Sequence, residues 1–520
     1  MNIIRTEALI VGSGFGAVAP ALRLMERGVQ VLMIEKGPDI VPSRDFRQTS
    51  DPRYLLRYLK SVDSKNIGFT YAEGLGGGSG FYEMVSLRTP TIAFEQRDPI
   101  GYRYWPDSIT RTALDPYYNI AEKMLNVEQI AEDEVPKSGV VFSYMMKRLG
   151  YSCERCRYAV QGCFGSGFCV SGCIFGAKQS LHENYLPQAK GLGLQVMTDV
   201  EAWDIQTIPH EAVDDRTPLA EIPYRYEVKC KKSETGEFFT IHAKIVVLGG
   251  GTVGTAQLLL RSKENLPFLS DHVGKNIAFN GGVKTVGLLP EGFIEGDMLS
   301  GRSHPGMISY QFLESHGFTI AAAKPLPLQV VTTARLVLDG DPQTVGDWGE
   351  AGDKLMKLYR HRMIILVAFG LTPPVACLTR SGDGSMQLEL DLTPELRSYN
   401  QEVQSILDSI LTRNGCELVK VHMIDGEGTD FADLHFGTAH MVGSARMADS
   451  KKHGVVDANG EVFDYPGLFV SDGAAIPTSL SVNTSLTILA NAERIGYGLA
   501  KRYGRKNPAM MLPIAQNPTK

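Results

Sequence analysis

The hydrophobic positions of the chain fall repeatedly into one arrangement: a short apolar run, a glycine turn, then a helical stretch. Ile3 to Val11 is rich in β-formers and runs straight into Gly12-Ser13-Gly14-Phe15-Gly16-Ala17, after which Leu22, Leu24 and Met25 lie on a helical period. Val29 to Glu35 then predicts a second strand. Ile245 to Leu248 ends at Gly249-Gly250-Gly251 ahead of a helix over Ala256 to Arg261, and Leu468 to Val470 ends at Ser471-Asp472-Gly473 ahead of a helix over Leu486 to Leu499. A further glycine cluster, Gly74 to Gly80, precedes a strand-like run from Phe81 to Leu87. Continuous apolar strands alternating with helices mark a parallel sheet covered on both faces, so the pattern predicts an α/β chain. Its parallel-sheet lobe is assembled from separated segments, 1–90, 191–274 and 436–505. The stretches 91–190 and 275–435 carry more β pattern, such as Met363 to Ala368, and predict a second, α+β lobe on a mainly antiparallel sheet. Pro20 falls inside the first helix and, lacking an N–H, is expected in its first turn or at a kink. The tail after Arg505 reads as loose.

The first 37 residues carry chemistry as well as pattern. Strand, G-x-G-x-x-A turn, helix and second strand together form the Rossmann-like dinucleotide fingerprint: Gly12 allows the tight turn, Gly14 the close approach of a pyrophosphate, and Ala17 the close packing of helix on sheet. The helix N-terminus offers free N–H groups to that pyrophosphate. Glu35 follows Gly12 by 23 residues, at the end of the second strand, where a carboxylate accepts the hydroxyls of an adenosine ribose. The Gly74–Gly80 cluster can bring successive backbone N–H groups close to a ligand.

Composition narrows the remaining classes. Of 520 residues 43% are hydrophobic and 21% charged, which is ordinary globular usage. The formal net charge is −6 with no basic run, which argues against nucleic-acid binding. The longest apolar stretch, Met363 to Leu371, is too short to cross a bilayer. The N-terminus goes straight into a strand-like run without a secretory pattern, so a cytoplasmic enzyme is expected, exported only if a partner subunit carries it.

Five of the eight cysteines, Cys153, Cys156, Cys163, Cys169 and Cys173, crowd into 153–173. In a large intracellular enzyme such a cluster points to metal more than to a disulfide framework. Zinc prefers paired C-x2-C knuckles, and only Cys153/Cys156 has that form. Thiolates at short spacing in a glycine-rich loop can also wrap an iron–sulfur centre, with a disulfide or reduced thiols as the alternatives.

The segments GSGFGAVAPALRL (12–24), GLGGGSGFYEMVSLR (74–88), WPDSITRTALDPYYNIAE (105–122), VVLGGGTVGTAQLLLRS (246–262), HMVGSARMADSKKHGVVDANGEV (440–462) and LFVSDGAAIPTSLSVNTSLTILANAERI (468–495) resemble, in order and spacing, the glucose–methanol–choline (GMC) family of FAD-dependent oxidoreductases. The closing segment is most similar to the cholesterol-oxidase and bacterial sugar or alcohol dehydrogenase branches. The resemblance implies FAD, with Gly12, Ser13, Gly14, Phe15 and Gly16 against the pyrophosphate and Glu35 and Lys36 at the adenosine end. It places Gly76, Gly77, Gly78 and Ser79 beside pyrophosphate and flavin, and Val200 on adenine. It brings Gly250, Asp472 and Gly473 to the ribityl and pyrophosphate side, and Thr484 and Ser485 to the flavin pyrimidine edge. His440 matches the family's active-site histidine and Asn483 its second active-site position. Tyr82 departs from the pattern, since many members carry asparagine there. The spacing of Cys163, Cys169 and Cys173 is similar to the three-cysteine hinge of membrane-associated FAD glucose dehydrogenases, which implies a [3Fe-4S] cluster; neither Cys153 nor Cys156 belongs to that pattern, and either can supply a fourth ligand or stay free, Cys156 being the one counted with the ligands.

Oxidising an alcohol removes a proton from oxygen and a hydride from carbon; the flavin takes the hydride and a histidine suits the proton. The expected activity is oxidation of a CH–OH group of a sugar, glycoside, sterol or other small-molecule alcohol, with His440 as base. Electrons would pass through the cluster to an external acceptor, such as a cytochrome, and a small subunit is an expected partner. Two other readings stand: an oxygen-using alcohol or sterol oxidase with structural cysteines, and a flavin electron-transfer subunit without substrate chemistry.

Overall fold

The structure is a computed structural model that describes residues 3–48, 52–211, 213–214, 217–293, 295–324, 334–338, 341–343, 350–382, 384–423 and 436–505. The tail expected to be loose and part of the expected second lobe lie outside the described residues. Strand Ile3–Val11 pairs in parallel with Val31–Ile34 on one side and with Phe238–Leu248 on the other. Gln195–Met197 extends the sheet beyond Val31–Ile34, and Leu468–Val470 joins the end of Phe238–Leu248, both in parallel. Antiparallel strands Tyr226–Lys232 and Val200–Thr207 complete it. Strands from four distant stretches of chain thus converge on one Rossmann-like sheet. The parallel strands end together, at Val11, Ile34, Leu248 and Val470, which is the edge where open α/β sheets bind ligands.

Helix Phe15–Glu26 packs against the closing helix Ser485–Tyr503. Their contact holds a fully buried ion pair: Arg23 Nε donates to Glu493 Oε2 at 2.7 Å and Nη2 to Oε1 at 2.8 Å, while Tyr185 Oη donates to the same carboxylate at 2.6 Å. Pro20 sits in the second turn of its helix, later than expected. Its missing N–H leaves the Gly16 carbonyl without the usual partner, and the Ser471 hydroxyl donates to that oxygen at 2.6 Å. The break in the helical ladder is therefore filled from the last parallel strand.

A second sheet is antiparallel throughout, in the order Asp341–Gln343, Ala334–Leu338, Glu417–Met423, Lys284–Leu288, Met363–Gly370, Phe318–Ala323, Met307–Ser309, Glu154–Arg155. One of its faces, with Val283, Leu366 and Ala368, is buried under helices Lys137–Arg148 and Pro394–Arg413 through Phe142, Met145, Val403 and Leu407.

Two local expectations change. Phe81 to Leu87 forms no strand: Met84 has φ 62° and only Val85 makes an isolated bridge, to Tyr158, because the preceding glycines close a 3-10 turn at Gly77–Gly80. The helix expected at Ala256 begins at Gly251, whose N–H donates to Asp472 Oδ2 at 2.7 Å and so gains a cap from another segment.

Candidate active site

A cavity of about 530 Å³ runs along the ends of the parallel strands. Gly12, Ser13, Gly14, Phe15, Gly16, Glu35, Lys36, Gly77, Gly78, Val200, Gly250, Asp472, Gly473, Thr484, Ser485, His440 and Asn483 all line it. Gly76 and Ser79 do not; they brace the loop from behind. Gly76 has φ +85°, and a Cβ there would stand 2.4 Å from the His182 ring. Ser79 Oγ donates to the Gly76 carbonyl at 2.7 Å and accepts from Leu181 N at 3.2 Å.

The donors and voids suit a dinucleotide. Gly12 holds φ +93°, and a Cβ on it would come 2.4 Å from the Gly249 carbonyl oxygen, so the turn admits no side chain. At Gly14 a Cβ would meet only Gly77 Cα, at 3.9 Å, and at Gly78 nothing within 4 Å. These two glycines leave room facing the cavity, as a pyrophosphate requires. Glu35 is buried, and its Oε2 accepts from Ser13 Oγ at 2.6 Å while Oε1 accepts from Gly37 N at 2.9 Å and Gly74 N at 3.2 Å. Burial pushes its pKa up. Oε2, with Ser13 as its one donor, has a second lone pair that a ribose hydroxyl can take. Lys36 pairs with Glu73 at 2.7 Å. Asp472 accepts from Gly251 N, Thr255 Oγ1 at 2.6 Å and Ala474 N at 2.8 Å, and burial raises its pKa to about 6. It ties the start of one helix to the last parallel strand.

At the far end His440 follows the short strand Phe436–Thr438. The Asn483 amide nitrogen lies 3.3 Å from its Nε2, and the Asn280 amide nitrogen 3.2 Å from its Nδ1. Asn280 is pinned: its Nδ2 also donates to Val482 O at 2.9 Å and its Oδ1 accepts from Leu480 N at 3.3 Å. With an N–H aimed at Nδ1, that nitrogen must accept, and the proton of neutral His440 belongs on Nε2. No other hydrogen bond to a described residue fixes the Asn483 amide, and turned by half a revolution it offers its oxygen to Nε2–H. Burial, aided by the positive charge of Lys284, lowers the His440 pKa to about 4, so the ring is neutral at pH 7. The Phe369 ring lies against it, centroid to centroid 5.5 Å.

Sequence reasoning missed Asn280, which sits in an Asn-Gly-Gly stretch that reads as a plain turn. It also missed Glu83, which lines the cavity and whose pKa is raised by burial. Tyr82, in place of the family's frequent asparagine, packs edge-on against Phe15 at 5.3 Å and donates its hydroxyl to Gln179 O at 2.9 Å. It is an aromatic wall of the cavity and its polar end is turned to the backbone.

The cysteines do not fit the cluster expected of them. Among the described residues no group of three or more His, Cys, Asp or Glu side chains could hold a metal ion, and all eight cysteines are free thiols. Cys156 lies in the hydrophobic core, where burial pushes its thiol pKa well up and opposes the thiolate a metal needs. Cys163 Sγ accepts from Gly165 N at 3.4 Å, and Cys169 opens a 3-10 turn whose backbone oxygen accepts from Lys178. Cys173 follows Gly172, whose φ is +109° and which packs flat on Phe46. Close spacing in sequence thus assembles no metal-holding group among the described residues.

Known proteins give the same assignment as the glycine turns. The N-terminal profile of the GMC oxidoreductases matches residues 7–279 and the C-terminal profile residues 398–492. The chain is a GMC oxidoreductase. It is 24% identical to a cholesterol oxidase of Mycobacterium tuberculosis over 94% of this chain and 90% of that enzyme. It is equally 24% identical to a long-chain-alcohol oxidase of Arabidopsis thaliana, over 94% of this chain but 66% of the plant enzyme's length. Among solved structures, pyridoxine 4-oxidase from Mesorbium loti superposes with a TM-score of 0.66 at 14% identity, covering 95% of this chain and 99% of that one. Formate oxidase of Aspergillus oryzae, in an arginine-to-lysine variant, gives 0.67 at 16%, covering 96% and 99%. As a GMC oxidoreductase the protein is an FAD-dependent enzyme of the CH–OH-oxidising family, and the Rossmann-like lobe is the fold these relatives share.

Proposed function

We propose that this GMC oxidoreductase oxidises a CH–OH group of a small-molecule alcohol and that dioxygen takes the electrons. Two observations support the acceptor: the relatives named above are oxidases, and the cysteines that argued for a one-electron relay are not grouped to hold one. The reading is carried by one arrangement, the His440–Asn483 pair at one end of a cavity whose other end is the Gly12–Gly16 turn. FAD, bound along that cavity, supplies the hydride acceptor.

His440 and Asn483 hold the substrate oxygen between them. To take the hydroxyl proton, Nε2 must be bare and the ring proton must sit on Nδ1; Asn280, presenting an N–H there, opposes that form. Asn280 therefore sets how readily His440 passes from donor to base. The low pKa keeps the ring neutral over the physiological range, so for His440 to act as base the ring proton has only to pass from Nε2 to Nδ1, with no net loss of a proton from an imidazolium. Tyr82 and Phe369 wall the site and exclude water. We also propose a cytoplasmic setting, in keeping with cysteines that stay reduced.

Anaerobic mixing of the holoenzyme with sugars, glycosides, sterols and alkanols tests the chemistry by bleaching of the flavin. His440→Ala should slow that bleaching on the order of 10²–10⁴-fold. Under air, peroxide should form in step with product. Turnover only with an added one-electron acceptor would restore the dehydrogenase reading, and no bleaching by any alcohol would leave the protein an electron-transfer flavoprotein.

A further inference from the structure

A stretch of uncharged chain presents aromatic rings to solvent. No residue from Tyr158 to Ala177 is acidic or basic. Within it Phe164 and Phe175 are 67% and 52% exposed, and Phe168 and Ile174 are exposed as well. Phe164 and Phe175 meet edge to face with centroids 4.4 Å apart, so both arms of the loop show their rings at one place. A single exposed apolar side chain is ordinary, but these four lie between positions 164 and 175 and form a patch, and patches of this kind mark interaction sites.

The base of the loop is seated on other segments while its rings are left out. Val170 joins the apolar cluster of Phe46, Leu55, Tyr58 and Phe81, and Gly172 lies flat on the Phe46 ring, where no side chain would fit. On the other arm Gly165 and Gly167 meet the backbone of Gly301. Phe81 and Val170 also line the cavity, so the patch stands over one of the cavity's walls. Leu56, 69% exposed, follows Leu55 of that cluster and adds apolar surface beside the loop.

The patch is small and uncharged, and both properties select its occupant. Its four side chains expose roughly 400 Å², about half of the ~800 Å² that each partner gives to a specific protein–protein interface. A lipid surface sets no such threshold, because it takes up apolar side chains one at a time and needs no matching shape. The loop carries no charge and the whole chain a net −6, so an anionic surface gains nothing from it. Among the described residues no helix is long and apolar enough to cross a membrane, so contact of this kind is peripheral. We propose that the 164–175 loop docks the protein on a zwitterionic lipid surface, with its phenylalanine rings seated between headgroups and acyl chains. Docked in this way, the protein holds a wall of its cavity against the bilayer. The docking does not depend on CH–OH oxidation.

Flotation of the holoenzyme with phosphatidylcholine vesicles tests this. The parent should float with them, and about half-molar sodium chloride should not release it, because salt screens charge and leaves apolar burial in place. The double variant Phe164→Ser, Phe175→Ser should partition at least about 10-fold less, with its FAD content unchanged. Phe268→Ser removes another ring, 64% exposed and next to the bond between Phe268 N and the Tyr465 hydroxyl, and should float like the parent. Phe164→Trp should shift its emission to the blue when vesicles are added. A parent that stays out of the vesicle fraction, or that salt releases, overturns the proposal. A double variant that floats undiminished, or a tryptophan at 164 that does not respond, overturns it as well. So does a parent that sediments as a dimer beside a monomeric double variant, since a second copy of the chain would then cover the patch.

Discussion

Asn280 fixes which nitrogen of His440 carries the proton: its amide N–H faces Nδ1 at 3.2 Å, and bonds to Val482 and Leu480 prevent the amide from turning over. Asn280→Asp would put a carboxylate at that position. It would draw the proton onto Nδ1, leave Nε2 bare, and favour the imidazolium, raising the His440 pKa from about 4 by one or more units. His440 accepts a proton only when neutral, so the rate of flavin reduction is lost as pH falls through this pKa. The acid limb should move upward in Asn280→Asp while FAD content stays stoichiometric, as read by stopped-flow reduction across pH 4 to 8. A limb that does not move separates that limb from His440.

The two glycines of the first turn should fail in different ways. Gly14→Val meets ordinary contacts within the protein, so the chain should fold and elute as colourless apoprotein. Gly12→Val would drive a β-branched side chain into the Gly249 backbone at a left-handed φ, and should lower soluble yield outright. Stoichiometric FAD in Gly14→Val would move the pyrophosphate elsewhere.

Local pattern and distant pairing explain what was legible in the chain. The strand–turn–helix units were, because period, turn glycines and Glu35 lie within one continuous stretch each. Asn280 and Lys284 were not, because their meaning comes from antiparallel pairing with Met363–Gly370 and from the approach of the 436–440 segment, contacts made across more than 70 residues of chain. Pro20 was misplaced for the same reason: the group that satisfies its orphaned carbonyl, Ser471, is 455 residues from Gly16. The cysteine spacing misled because it reports distance along the chain, which does not by itself bring side chains to one centre.

Arg23 and Glu493 should show strong coupling in stability. Both side chains are fully buried; Arg23→Met leaves the Glu493 carboxylate desolvated with only the Tyr185 hydroxyl, whereas Glu493→Leu leaves Arg23 paired with Glu26 at 2.8 Å. Arg23→Met should therefore cost about 3–5 kcal/mol, Glu493→Leu less, and the double variant less than the sum. Denaturant or thermal unfolding of the four proteins gives the cycle. Additive losses would mean that the pair does not act as a unit.

The stability that His304 contributes should be lost with acid above the ordinary carboxylate range. His304 is 4% exposed; its Nδ1 accepts from Gly306 N at 3.2 Å and lies 2.7 Å from the Tyr158 hydroxyl. Burial lowers its pKa to about 4, as it does for His182 and His440. A histidine depressed in the folded state contributes stability that is complete above its unfolded pKa near 6.5, and that is lost as pH falls toward 4, because the unfolded chain binds the proton first. At 1.36 kcal/mol per pKa unit, His304 can account for at most about 3 kcal/mol of that loss. Asp472 pulls the other way: its pKa, raised to about 6, adds stability as pH falls through that value. Glu35 and Glu83, whose pKa values burial also raises, act in the same sense as Asp472, so the histidine contribution is read as a difference between the parent and a variant between pH 6.5 and 4. His304→Gln keeps an acceptor for Gly306 but cannot titrate, so its unfolding temperature should depend less steeply on pH in that window. A slope equal to the parent's would show that His304 is not held neutral by its burial.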